Sequence, residues 1–318
     1  MASNGLVGLA LAAMLIASGA ARAADPEPTL AQLQARAQAG EVKAYDALAN
    51  AYLDAKGGQR DVAAAVRWLN AGVKAGDTDC MIDLGDLYFE GEDLDENDRQ
   101  ALSLYEAAAA KGDALGAYGA GLVYEAGGGA IEQNLTKALD WYRRAADGGD
   151  EGGMYKVAKA YEQGSGTAVD QAQAVAWMKK AVDAGSLDAL NDLATYYADG
   201  TGVPVDDAQA MDLYRQAAKQ GSAVAMANIA VLYHDGEGVP VDFDKALAWY
   251  ALAARSGNFE AYYRLGEMYQ AGEGVKANAA KALQFYQAAA QTDDDDLRDD
   301  AEDAIEELKG GNSSAPIA

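Results

Sequence analysis

The stretch SLDALNDLATYYADGTGVPVDDAQAMDLYRQAAKQG, residues 186–221, decides the fold. Ser186 is a good helix N-cap, and Ala189, Leu190, Leu193, Ala194 and Tyr197 after it form the apolar stripe of an amphipathic helix. Asp199 to Pro204 then breaks the pattern, since glycine and proline set up turns. Asp206 opens a second helix with Ala210, Leu213, Tyr214 and Ala217 on its inner face, and Gly221 closes it as a left-handed C-terminal glycine. These 36 residues are one helix-turn-helix.

The unit recurs. Tyr52, Tyr88, Tyr124, Tyr161, Tyr197, Tyr233 and Tyr269 follow one another at steps of 36 or 37 residues, and Ala65, Ala101, Ala138, Ala174, Ala210, Ala246 and Ala282 keep the same register. A fixed period of this length is the mark of a solenoid of stacked supersecondary units. The second-helix N-cap slot holds Asp61, Asn97, Asn134, Asp170, Asp206, Asp242 and Asn278, and the closing slot Gly40, Gly76, Gly112, Gly149, Gly185, Gly221 and Gly257. Bulky pairs such as Trp141-Tyr142 and Trp249-Tyr250 sit three and four residues after each recurring alanine. Small residues let helices approach while the rings, including the recurring tyrosines, fill the core. Eight residues before each recurring tyrosine stands Ala44, Cys80, Gly116, Gly153, Ala189, Ala225 or Ala261, so the lone Cys80 reads as a buried packing residue. All five prolines fall outside the expected helices.

The expected organisation is an all-α superhelix. A signal peptide spans 1–23, a capping helix 24–40, and seven repeats 41–76, 77–112, 113–149, 150–185, 186–221, 222–257 and 258–292. An acidic capping helix at 293–309 and a disordered tail at 310–318 complete it. The signal rests on an apolar run from Leu6 to Ala17 followed by Ala21-Arg22-Ala23, too short to span a bilayer. Its removal leaves 24 basic and 50 acidic side chains, a formal charge of −26. Such a surface repels nucleic acid and anionic lipid and attracts basic partners.

These positions together resemble the Sel-one-like repeat (SLR) family, relatives of tetratricopeptide repeats. The resemblance is carried most clearly by Ala225, Ile229-Ala230, Tyr233, Gly236-Glu237-Gly238-Val239, Lys245-Ala246, Trp249-Tyr250, Ala253-Ala254 and Gly257. The unit from Asn258 repeats it with Leu265-Gly266, Tyr269, Gly272-Glu273-Gly274-Val275, Lys281-Ala282 and Phe285-Tyr286. Early units depart from the pattern: Ala55 replaces the first loop glycine, Asp93 the second in the next unit, and Gly127 to Glu132 holds an extra residue. The resemblance implies an adaptor without enzymatic activity. Exported bacterial members are associated with envelope assemblies, which implies a scaffold in the periplasm, or secreted.

Chemistry-bearing motifs are few. His234 is the only histidine and is expected at a solvent-facing helix end. Asp93 to Asp98 mimics half a calcium loop, but Asp98 stands where glycine must turn and Leu104 where the bidentate glutamate belongs. The run Asp293 to Asp296 reads as solvated charge. The paired cysteines of SLR proteins described as β-lactam-binding are missing, as are S-x-x-K, S-D-N, K-T-G, G-x-S-x-G, the P-loop and the dinucleotide fingerprint. The expectation is therefore no catalytic residue, metal or cofactor, with a β-lactam enzyme or an ion-stabilised rod as the alternatives. What remains is the surface lined by the first helices. There Tyr118, Tyr155 and Tyr263, with Leu122 and Val231, lie among the acidic Asp46, Asp83, Asp86 and Asp192. Rings give contact area and carboxylates give steering, which suits a basic segment of a protein partner bound by a monomer. For each tyrosine the competing role is to cover a neighbouring helix.

Overall fold

The computed structural model describes residues 28–311, except 55–57, 59, 92 and 130. The expected signal peptide and the end of the tail, from 312 onward, lie outside the described residues. Sixteen helices follow among those described. They are α1 (Leu30–Gln38), α2 (Lys43–Leu53), α3 (Val62–Ala75), α4 (Thr78–Glu90), α5 (Asp98–Ala109), α6 (Ala114–Ala126), α7 (Leu135–Asp147) and α8 (Glu151–Gln163). The second half holds α9 (Gln171–Ala184), α10 (Leu187–Asp199), α11 (Asp207–Lys219), α12 (Ala223–Asp235), α13 (Phe243–Arg255), α14 (Phe259–Ala271), α15 (Ala279–Ala289) and α16 (Asp295–Gly311). Helices α2 to α15 form seven antiparallel pairs, and α1 and α16 cover the ends.

From α3 to α14, each joint between successive pairs uses one residue twice. The backbone N–H of Ser222, just past Gly221, bonds Ala217 and so ends α11, while its side chain accepts from Ala225 and starts α12. Asp77, Asp113, Asp150, Ser186 and Asn258 repeat the arrangement. All seven expected second-helix caps accept from the backbone three residues on, as drawn from the sequence. Each also donates its own N–H to the carbonyl of the recurring tyrosine, as Asp206 does to Tyr197 at 2.8 Å. The tyrosine backbone therefore locks the loop.

The rings correct one expectation. Only Tyr233 among the recurring tyrosines is buried; the other six are half-buried. Cations cover several of them: Lys137 lies over Tyr124, Lys245 over Tyr233 and Lys281 over Tyr269, each with Nζ within 5 Å of the ring centre. The true core rings come from the second helices, where Tyr105, Tyr142, Tyr214, Tyr250 and Tyr286 are at most 4% exposed. They stand on the helix side that faces two neighbours at once.

Cys80 is buried as expected. Its Sγ fills space vacated by Gly72, where any β-carbon would overlap it. The same contact joins Ala108 to Gly116 and Ala145 to Gly153, one partner always being small. At the C-terminal end, Ile305 of α16 packs with Ala282 and Tyr286, flanked by Ala304 and Leu308, and Ala301 is buried. That helix runs on through Gly310 and Gly311, two residues expected in the tail.

Candidate groove on the inner helical layer

The first helix of each pair forms the inner layer. Side-chain bonds link successive first helices along the stack: Asn50 Nδ2 to Asp83 at 2.9 Å, Lys156 Nζ to Glu125 at 2.8 Å, Tyr155 Oη to Asp192 at 3.0 Å, and Asn191 Nδ2 to Ser222 at 3.0 Å. Helix α4 also lies directly against both α2 and α6. Charge is divided between the layers. The seven first helices carry fourteen carboxylates against four Lys or Arg, a formal −10; the seven second helices carry eight against thirteen, a formal +5.

The six residues expected to bind are spread along this surface rather than gathered at one point. Tyr118 rests on Tyr142 and Tyr263 on Tyr286, with ring centres 5.7 and 5.3 Å apart. Tyr155 donates to Asp192, which also receives Lys159 at 3.2 Å. Burial raises the pKa of all three tyrosines, and for Tyr155 the Asp192 carboxylate adds to it, so the hydroxyls stay protonated donors. Each is half-buried, partly covered by its neighbours and partly exposed.

Asp83 and Asp86 differ from the expected pair of free steering charges. Burial, hydrogen bonding to Asp46 and repulsion from it push Asp83 up to about 7, against the opposing pull of Asn50. Asp86 accepts the Tyr105 hydroxyl at 2.5 Å, and burial raises its pKa despite that bond. Seven carboxylates of the first helices are exposed: Asp79, Glu90, Glu151, Asp188, Asp199, Asp235 and Glu260. Of these Asp79 is paired with Lys43, Asp235 with His234 and Glu260 with Arg264. Asp188 is close enough to Tyr118 and Tyr155 to raise the pKa of both.

His234 is not a free helix end. Half-buried, it bonds Asp235 through Nδ1 at 2.5 Å and Glu273 of the next unit through Nε2 at 2.9 Å, edge-on to Phe243. Burial opposes its charge, but the two carboxylates prevail and hold its pKa above the ordinary value. Among the described residues no group of three or more His, Cys, Asp or Glu is placed to hold a metal ion, and no helix is long and apolar enough to cross a membrane.

Sequence reasoning passed over the basic residues inside the acidic layer. Seven residues past the closing glycine the repeats read Ala47, Asp83, Gly119, Lys156, Asp192, Asn228 and Arg264. Lys156 and Arg264 are the exceptions, three repeats apart, and each flanks a cavity. One, of about 240 Å³, is lined by Leu135, Leu139, Tyr155, Lys156, Lys159 and Ala160 among others. The other, of about 150 Å³, is lined by residues including His234, Tyr250, Arg264, Glu267 and Met268. A register table of the repeats would have shown both.

The Sel1 repeat family model matches seven consecutive blocks, 42–77, 78–113, 114–150, 152–186, 187–222, 223–258 and 259–294. The chain belongs to the Sel1 repeat family. Among solved structures it is similar to c5321 of uropathogenic Escherichia coli, described as a protective antigen displaying an SLR fold. The identity is 30%, the TM-score 0.71, and the match covers 83% of this chain and 56% of the other. The chain thus spans little more than half of that relative. A Sel1 repeat protein from Oxalobacter formigenes matches at 26% identity and a TM-score of 0.67, over 86% of this chain and 79% of its own. No curated protein matches. Sel1 repeat proteins are generally protein–protein interaction scaffolds, and typically adaptors rather than enzymes.

Proposed function

We propose that this Sel1 repeat chain is an exported scaffold of a bacterial cell envelope, without enzymatic activity, whose inner layer holds a basic segment of a protein partner. The observation that carries the reading is the division of charge: carboxylates crowd the layer where the half-buried tyrosines present their edges, and bases crowd the opposite one. A cationic segment is drawn along such a surface over roughly a Debye length, about 8 Å at physiological salt. Export to the periplasm rests on residues 1–23, and N-terminal sequencing of the mature protein should begin at or near Ala24.

Titration of the chain with a lysine- and arginine-rich peptide at low and high salt tests the groove. Affinity should fall steeply with salt. Asp188→Asn with Glu90→Gln should lower the on-rate, and Tyr155→Ala with Tyr263→Ala should raise the off-rate. Salt-independent binding that survives all four changes would refute the reading.

A further inference from the structure

The larger cavity has a cause in the sequence. Eleven residues past the closing glycine the repeats read Ala51, Leu87, Val123, Ala160, Tyr196, Leu232 and Met268. All are buried. In the last repeat this slot holds Met268, which closes the smaller cavity to about 150 Å³. At the fourth, Ala160 leaves about 240 Å³ between α7 and α8. Between the two terminal units, no other repeat puts so small a side chain there. The space is open at one side and lined by Glu125, Lys156, Lys159, Gln163 and Ser165 as well as by apolar side chains.

The cavity has an apolar floor of Leu135, Ala138, Leu139 and Ala160, and opens beside Tyr155 on the inner layer. Charges ring its mouth. Lys156 pairs with Glu125, which also accepts the buried Tyr142 hydroxyl, and Lys159 pairs with Glu162 and Asp192. The two bases are thus neutralised where they stand, with three carboxylates to two ammonium groups. Lys156 and Lys159 are held in these ion pairs and are each 27% exposed.

We infer that the cavity made by Ala160 is the anchor site of the groove: it takes one aliphatic or aromatic side chain of a partner segment that carries Lys or Arg on either side. This rests on the acidic-groove reading and adds to it a point of register and specificity. The side chain would shed its apolar surface against Leu135 and Leu139, while its flanking bases meet unpaired carboxylates of the inner layer beyond the mouth, such as Asp188 near Tyr155. An anchored side chain in a desolvated pocket with charged flanks is how few contacts come to dominate binding.

The test uses three labelled peptides, Lys-Arg-X-Lys-Arg with X as leucine, alanine or aspartate, and fluorescence polarisation on the full chain at low and high salt. The leucine peptide should bind roughly tenfold or more tightly than the alanine peptide. Ala160→Met, which copies Met268, should erase most of that advantage. The readout is the ratio of leucine-peptide to alanine-peptide affinity within each variant, taken at both salt concentrations. Ala160→Leu, which copies Leu87 and Leu232, gives a second filling variant, and circular dichroism checks that both stay folded. Equal, salt-dependent binding of the leucine and alanine peptides would overturn the anchor and spare the groove. So would an unchanged leucine advantage in both filled variants. Tightest binding of the aspartate peptide would show that the lysines, not the floor, read the ligand, and would also overturn it. If none of the three binds in a salt-dependent way, the groove reading falls and the anchor with it.

Discussion

At the scale of single residues, the contact between Gly72 and Cys80 shows how the stack tolerates variation. The two sites share one volume, so the thiol is possible only because position 72 has no side chain. Gly72→Ala alone should overpack and cost about 1–3 kcal/mol. Gly72→Ala with Cys80→Ala recreates the alanine pair of later repeats and should recover most of that loss. Thermal melts of the two single variants and the double variant, read as a cycle, check the coupling. Burial, with nearby Asp77, Asp46 and Asp83, pushes the thiol pKa up, so native labelling by a bulky reagent should be slow. Asp83 gives a pH prediction. Its folded pKa lies above its unfolded one, so its protonated form favours the native state at low pH. That contribution is lost as pH rises from about 4 to about 7. Asp83→Asn should flatten this part of the stability curve, measured by urea unfolding at pH 5 and pH 8.

At the scale of elements, two glycines of one repeat do different work. Gly221 ends α11 at φ +95° with open space around its missing side chain. Gly202, in the loop, has φ +67°, and a β-carbon there would meet the Gln171 carbonyl of the previous repeat at 2.6 Å. Gly221→Ala should therefore cost about 1 kcal/mol of backbone strain, and Gly202→Ala clearly more, because repeat contact is lost as well. Urea midpoints of the two variants should rank in that order. The second unit shows another solution. Asp93 replaces the second loop glycine and forms an ion pair with Arg60 of the preceding unit, so a side-chain bridge stands where later repeats have backbone contact. The sequence marked this place as a departure but not how it is used, because Arg60 and Asp93 are 33 residues apart.

At the scale of the molecule, stability is a sum over neighbours, and the ends fray first. Among the described residues the outer side of the last pair is covered by α16, whose Ile305 rests on Tyr286. Ile305→Asp would bury a charge at that contact and should detach the helix. Hydrogen exchange should then show α15 and α14 losing protection while α4 to α11 keep theirs. Uniform loss along the chain would mean that the solenoid melts as one block.

The repeat length, the helix pairs, all seven second-helix caps, the closing glycines and the buried cysteine were legible in the sequence, because each depends on local periodicity or on one residue's backbone preference. The same holds for the net charge and the acidic character of the first helices. The half-burial of the recurring tyrosines, the internal bonds that occupy Asp83 and Asp86, and the link from His234 to Glu273 were decided by tertiary structure. So was the cavity at Ala160. In each case the partners lie between 19 and 39 residues apart or belong to two packed helices, and which side chain meets which depends on how one unit is rotated against the next. That rotation comes from the fit of the packed side chains and is written in no single repeat.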